Sequence, residues 1–259
     1  MWATPPLAMW SIERNRKEPM RSVLLLFAFT FVAGGAASAQ NNYLYDARFV
    51  QAAPGKLLDL IDHYKGRLST YQSIGDEPPL WIRHSQGDKW DLMLLFPMGS
   101  YVDYYRADRM IKRKQSEQAF ADKLRGLVAW QEDLFVYGPP LEKLRQAYPG
   151  TGFFHLEIFQ ALPGRQADLY REREMENAYQ RTLKRPENFI FVRDQGAAWD
   201  LFTLGFYRNL KHYAESADLS ESDQEAAARA AGFEGASRIG PYLRTLIAMH
   251  HDTLAVAVK

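Results

Sequence analysis

The sequence predicts an α+β protein made of two tandem copies of one unit, and three observations support this. The segment Trp-Asp-Leu-Met-Leu-Leu-Phe at 90–96 returns as Trp-Asp-Leu-Phe-Thr-Leu-Gly at 199–205, 109 residues later. The same offset aligns residues 46–104 with residues 155–213 without a gap, and 13 of these 59 positions are identical. Strand-like and helix-like segments follow the same order in both copies. An ungapped match of this length indicates the duplication and fusion of one structural unit.

The first copy begins with an alternating, aromatic-rich segment that is typical of a strand. Pro54-Gly55 breaks it, and apolar residues at helical spacing then predict a helix from Leu57 to Leu68. Two further strands are joined by a loop that contains Gly87. The remaining predicted elements are the strands Leu80–His84 and Trp90–Phe96, the helix Tyr101–Trp130 and the closing strand Leu134–Tyr137.

The second copy repeats this order with an insertion before its last helix. Its predicted elements are the strand Phe153–Gln160, the helix Arg165–Leu183, the hairpin Asn188–Arg193 and Trp199–Phe206, a closing helix and the strand Thr253–Val258. The predicted domains are repeat 1 at 40–138, a linker at 139–152, and repeat 2 at 153–259 with the insertion near 214–238.

Each copy therefore reads βαββαβ, the order of a ferredoxin-like unit. One such sheet carries helices on one face only, so two copies predict antiparallel sheets packed face to face in a pseudo-dimeric α/β barrel. From Tyr43 to Val258 the chain resembles the dimeric α/β-barrel superfamily, which includes antibiotic-biosynthesis-monooxygenase-like, NIPSNAP-like and haem-handling proteins. The resemblance implies a central cavity between the sheets that some members use for small aromatic substrates or haem.

The amino terminus predicts export. An upstream extension precedes Met20-Arg21-Ser22, a ten-residue run at 23–32 that is apolar apart from Thr30, and Ala37-Ser38-Ala39. A basic region, a short apolar core and a small-x-small site are typical of a secretory signal peptide. We therefore expect residues 1–39 to comprise an extension and a signal, with Met20 as the start and cleavage after Ala39. The apolar run is too short for a membrane span, and no cysteine follows the cleavage site, so a lipoprotein is not expected.

Composition narrows the classes of function. The chain has a formal net charge of +1, and removal of residues 1–39 leaves it close to neutral, which argues against nucleic-acid binding. Cysteine is absent, so disulfides and cysteine-ligated zinc are excluded. We expect a periplasmic or extracellular protein that is either a monomeric pseudo-dimer or a homo-oligomer.

The first strand of each copy carries the main candidate site. Ala47 and Phe49, like their counterparts Leu156 and Ile158, are apolar and are expected to face the helices. The opposite parity would turn four ionisable side chains toward the enclosed face of the barrel, because successive strand residues point to opposite faces. These four are Asp46, Arg48, His155 and Glu157.

Two interpretations of this polar set remain open. In one, His155 and Glu157 are catalytic acid/base groups, and all four side chains bind a ligand in a polar cavity. In the other, Arg48 pairs with Glu157 and Asp46 with His155 for purely structural reasons.

Three more residues are ligand-binding candidates. Asp91 and Asp200 each follow a tryptophan at a strand start, where they could form a symmetric carboxylate pair or could bond the backbone of the preceding Gln-Gly loop. His250 shares the apolar stripe of the predicted closing helix, so it could be an axial haem ligand or a core histidine. With only His250 and His251 adjacent, no metal site is predicted.

The sequence thus favours an exported protein that binds a small apolar or aromatic ligand between its repeats in an accessory role. The first alternative is a small-molecule oxygenase or a haem-dependent enzyme. The second is a structural partner protein, with Arg165–Leu183 and the inserted segment as interaction surfaces.

Overall fold

The computed structural model describes residues 43–258, and these form a closed barrel of eight antiparallel strands with helices outside it. The strands are β1 Tyr43–Ala52, β2 Leu80–Gln86, β3 Leu92–Gly99, β4 Val128–Gly138, β5 Phe153–Ala161, β6 Phe189–Gln195, β7 Leu201–Tyr207 and β8 Ile247–Ala257. The helices are α1 Leu57–Ile74, α2 Tyr101–Tyr104, α3 Ala107–Leu124, α4 Leu141–Ala147, α5 Gln166–Thr182, α6 Leu210–Ala214, α7 Glu221–Ala230 and α8 Ile239–Arg244. The predicted fold class is confirmed.

The two copies close the barrel by pairing with each other. The strand order is β1-β3-β2-β8-β5-β7-β6-β4, so the first copy contributes one half of the wall and the second copy the other. Antiparallel pairing of β2 with β8 and of β4 with β6 forms the two seams. The barrel therefore has no unpaired sheet edge.

Apolar side chains from both copies fill the inside of the barrel. On β1 they include Tyr45, Ala47 and Phe49, and each of the three is at most 2% exposed. Phe154, Leu156 and Ile158 on β5 belong to the same cluster. An apolar void between the two halves measures only about 10 Å³, which is near the minimum for one water molecule. The described residues inside the barrel thus form a packed core, and this void is too small for a ligand.

This packing reverses the predicted faces of the first strands. Ala47, Phe49, Leu156 and Ile158 point into the barrel, whereas Asp46, Arg48, His155 and Glu157 lie on the outer face under the helices. The physical reason is that the barrel interior is closed to water on all sides, while the sheet–helix layer opens at its rim. A charge costs less where it can reach solvent or a partner.

The closing strands begin earlier than predicted, and the helices before them are shorter. The predicted helix Tyr101–Trp130 is two helices, α2 and α3, and β4 already begins at Val128. His250 lies on β8 rather than on a helix. The first halves of β4 and β8 mix polar and apolar residues at mostly partly buried or exposed positions, a pattern that resembles a solvated helix in sequence.

Each hairpin loop packs on the closing strand of the other copy. A Cβ atom on Gly87 would lie 2.4 Å from the carbonyl oxygen of Asp252, and one on Gly196 would lie 2.7 Å from that of Asp133. Both glycines also have positive φ angles, of 124° and 107°. The shared Gln-Gly loops of the repeat therefore serve close contact between the copies, since only glycine fits there.

The linker and the insertion both contain helices. Residues 139–152 include α4, and the segment 214–238 includes α7, which packs on α5. No helix within residues 43–258 is long and apolar enough to cross a membrane. The predicted extension and signal peptide lie outside the described residues.

Replacement of Trp90 should be costly, because its side chain is 2% exposed and packs edge-on against Phe49 with 5.4 Å between ring centroids. We expect Trp90→Ala to lower the free energy of unfolding by about 3–5 kcal/mol, as measured by urea denaturation. Trp199→Ala is the matched control from the second copy, and it should cost less because Trp199 is partly exposed. Equal losses for the two variants would contradict this account of the core.

Candidate functional site

Three polar side chains converge on the outer face of the second half of the sheet. His155 and Glu157 lie on β5, and Asp252 lies directly opposite Glu157 on β8. His155 Nε2 is 3.5 Å from Asp252 Oδ1. One ligand-type atom from each of the three residues lies within 4.8 Å of the others. We call these three residues the outer triad.

Neighbouring residues hold the triad in place. Thr203 Oγ1 donates a hydrogen bond to Glu157 Oε2 at 3.0 Å. Arg244 lies 2.6 Å from His250 Nδ1, and since a guanidinium can only donate, that nitrogen accepts. The proton of His250 is therefore on Nε2, which lies 3.0 Å from Asp252 Oδ2 and donates to it. Each carboxylate of the triad thus has one oxygen fixed by a neighbour.

Helix α5 covers the triad with a charged cluster. Its residues are strong helix formers, and Leu169 anchors it to the sheet. Arg173 follows on the same face and is only 2% exposed. It pairs with Glu172 at 2.6 Å, with Glu176 at 2.5 Å and with Glu157 at 3.7 Å. One buried guanidinium therefore serves three carboxylates.

Burial and crowding shift the pKa values of this cluster. Burial raises the pKa of Glu172, and it raises the pKa of Glu176 to about 7 against the opposing charge of Arg173. Burial alone would lower the pKa of His155, but its interaction with Asp252 and the charge of Glu157 raise it overall. The interaction with His155 in turn lowers the pKa of Asp252. His155 and Asp252 thus form a charge-stabilised pair.

The triad is open to solvent on one side. The side chain of Asp252 is 53% exposed, while that of His155 is 16% and that of Glu157 is 13% exposed. Tyr213 flanks the opening, with its ring centroid 5.3 Å from that of His155. The half-exposed carboxylate of Asp252 on β8 makes this side of the triad accessible to solvent.

The equivalent positions of the first copy form a different group. Arg48 replaces Glu157, Asp46 replaces His155, and Asp133 lies opposite Arg48 as Asp252 lies opposite Glu157. Arg48 Nε donates to Asp133 Oδ1 at 2.5 Å, and Arg48 Nη2 is 3.7 Å from Asp46. The predicted pairing of Arg48 with Glu157 and of Asp46 with His155 is therefore wrong, because each residue pairs within its own copy.

Asp91 and Asp200 have equivalent local roles. Asp91 Oδ2 accepts a hydrogen bond from the backbone N–H of Ala52 at 2.8 Å, and Asp200 Oδ2 accepts one from Ala161 at the same distance. Each carboxylate thereby fixes the end of the first strand of its copy. The backbone partner differs from the predicted Gln-Gly loop, and the two carboxylates do not come together as a pair.

The structure does not support haem ligation by His250. Both ring nitrogens of His250 are engaged, and the ring stacks on Phe159 with 5.8 Å between centroids. The layer between α5 and the sheet holds the buried Arg173 cluster, and the barrel void is far smaller than the several hundred Å³ that a bound cofactor needs. The residues around His250 thus do not fit the group.

Sequence reasoning missed the contributions of Asp252, Thr203, Arg173 and Glu176. Asp252 lies 119 residues after Asp133 and is its counterpart in the second copy. This match identifies a repeat position but does not indicate which residues Asp252 contacts. The sequence predicts no metal site, because the only adjacent histidines are His250 and His251. The structure instead brings His155 and Asp252 together from 97 positions apart.

No protein-family model matches the chain, and no curated protein matches it in sequence. Among solved structures, an anthrone oxidase-like protein is similar with a TM-score of 0.53 and 10% identity, covering 85% of this chain and 92% of that one. A candidate monooxygenase from Fusobacterium nucleatum has a TM-score of 0.54 and 9% identity, with 84% and 94% covered. A mutant chlorite dismutase from Candidatus Nitrospira defluvii has a TM-score of 0.50 and 12% identity, with 85% and 93% covered.

These similarities span almost the whole of each neighbour and confirm the architectural resemblance to dimeric α/β-barrel proteins. At such low sequence identity they establish the fold alone.

The first copy offers a test of burial electrostatics. Burial raises the pKa of Asp46 to about 6 and outweighs the ion pair with Arg48. A carboxyl with a raised folded-state pKa contributes stability at low pH that is lost as the pH rises from about 4 through 6. Asp46→Asn removes this loss. The free energy of unfolding of the variant, relative to that of the wild type, should therefore rise by about 2–3 kcal/mol between pH 4 and pH 8. Chemical denaturation at both pH values measures this change, and a difference between the two proteins that is the same at both pH values would contradict the raised pKa of Asp46.

Proposed function

We propose that this chain is an exported, periplasmic or extracellular protein that binds a small molecule at the outer triad, with the packed barrel as its scaffold. The observation that carries the proposal is the convergence of His155, Glu157 and Asp252 at a place that solvent can reach. A cluster of ionisable side chains with shifted pKa values is a candidate binding or active site. The signal-like segment at 1–39 supports export.

The surroundings of the triad favour an aromatic ligand with polar groups. The ring of Tyr213 lies beside that of His155, while the triad supplies an imidazole and two carboxylates. A planar ring could pack on Tyr213 while its hydroxyl or carbonyl groups face the triad. In this proposal the aromatic ligand lies outside the barrel rather than between the sheets.

A second candidate is a small-molecule enzyme of the oxygenase kind. The close contact of His155 with Asp252 favours it, because a histidine oriented by a carboxylate is suited to proton transfer. The names of the structural neighbours point the same way, but they describe those proteins.

A purely structural role has less support. The two surfaces suggested for a partner, α5 and the inserted segment, pack on each other, and Tyr179 on α5 bonds Gln224 on α7 at 3.4 Å. Much of each surface is therefore already used within the chain.

Anthrone is a suitable test ligand, since it is the aromatic ketone in the name of one structural neighbour. We expect the purified full-length chain to bind anthrone with quenching of tryptophan fluorescence. The double variant His155→Ala, Glu157→Gln should bind at least about tenfold more weakly, because it loses two polar contacts worth about 1 kcal/mol each. Oxidation of anthrone to anthraquinone with uptake of O₂, lost in the same variant, would favour the enzyme over the binding protein.

The first copy supplies the matched control. Asp46→Ala with Arg48→Gln changes the equivalent strand positions and should leave anthrone affinity within about twofold of the wild type. Thermal unfolding of all three proteins shows whether they remain folded. If both double variants bind alike, or if the wild type does not bind anthrone, the proposed aromatic site is refuted.

A further inference from the structure

The internal duplication gives both copies the same three outer strand positions, but the charges at these positions are balanced differently in the two copies. In the first copy, the three equivalent outer positions hold Asp46, Arg48 and Asp133. The guanidinium of Arg48 lies between the two carboxylates, 2.5 Å from one and 3.7 Å from the other. This group therefore contains its own cation.

The second copy lacks a cation at that central position. Glu157 stands where Arg48 stands in the first copy, and it directly faces Asp252 across the strand pair. Like charges placed directly opposite each other destabilise a sheet. In the described part of the chain, the ion pairs of Asp252 are with two histidines, and Glu157 pairs only with Arg173, 3.7 Å away. Arg173 is already closer to Glu172 and Glu176.

The geometry of the outer triad suits a metal ion in the place of that cation. The ligand atoms of His155, Glu157 and Asp252 already lie within 4.8 Å of one another. Metal–ligand bonds of about 2.0–2.2 Å would draw them together by small side-chain rotations. One imidazole and two carboxylates suit divalent ions such as Zn²⁺ and Mn²⁺.

The neighbours of the triad are arranged as outer-shell groups usually are at metal sites. Thr203 fixes one oxygen of Glu157 and His250 fixes one oxygen of Asp252, so the other oxygen of each carboxylate can turn toward His155. Hydrogen bonds of this kind orient metal ligands and strengthen binding. The exposure of Asp252 leaves a path for the ion and an open side for a further ligand.

We propose that the outer triad binds one divalent metal ion through His155 Nε2 and one oxygen each of Glu157 and Asp252. This inference rests on the proposed function, because it assigns an ion to the same site. A bound metal would supply the missing central charge of the second copy and an attachment point for a polar group of the small molecule.

Isothermal titration of the EDTA-treated, dialysed full-length chain with Zn²⁺ and with Mn²⁺ tests the proposal. At least one of the two ions should bind with a stoichiometry of one per chain. Glu157→Gln keeps the shape of the side chain and should weaken binding at least about tenfold. Asp252→Asn, at an exposed position, is a second variant that should show the same loss if Glu157→Gln does not fold.

Asp133→Asn is the matched control, since Asp133 occupies the place of Asp252 in the first copy. It should leave the affinity within about twofold of the wild type. Binding of neither ion by the wild type would overturn the proposal. So would equal affinity in Glu157→Gln and the wild type, because the ion would then bind elsewhere.

Anthrone binding with and without EDTA separates this inference from the proposed function. Metal binding without anthrone binding would support the ion site and refute the proposed aromatic ligand. Anthrone binding that is unchanged by EDTA and by added Zn²⁺ or Mn²⁺, together with a wild type that binds neither ion, would support the small-molecule site and refute the metal.

Discussion

The pairing of β2 with β8 and of β4 with β6 is the constraint on which the rest of this structure depends. Each ferredoxin-like half has two sheet edges and one face without helices, and neither can be left in water. Joining the edges buries the bare faces against each other in the same step. The interior then has to be apolar, and charged side chains are confined to the outer layer and the rim of the barrel.

The sequence was sufficient to predict the architecture, because duplication and element order are properties of the chain itself. It could not predict which face of β1 and β5 lies inside. Alternation of polar and apolar residues separates two faces, but both faces of these strands are covered, and Val50 and Phe159 make the helix side partly apolar as well. The sequence predicts a helix where β8 begins, because Met249 to Asp252 have the polarity of an exposed helix.

Ionisable groups on a covered strand need partners whichever face they lie on, so the sequence indicates His155 and Glu157 as candidate residues on either face. What the sequence could not give were the partners, since Arg173 comes from a helix and Asp252 from a strand nearly a hundred residues away. The two copies have the same arrangement of strands but carry their arginine in different places. It is Arg48 on a strand in the first copy and Arg173 on a helix in the second. The same strand arrangement thus holds an arginine-centred group in one copy and the outer triad in the other.

The seam between β2 and β8 also determines how the chain must fold. His84 pairs with Ala255, a residue 171 positions later, so the barrel remains open until almost the whole chain is present. Contacts of such long sequence separation slow the search for the native state, since loop entropy is lost before the contact forms. Until closure, the strands along both seams stay exposed to pairing with other chains. The ribosome would therefore release a chain whose core has yet to form.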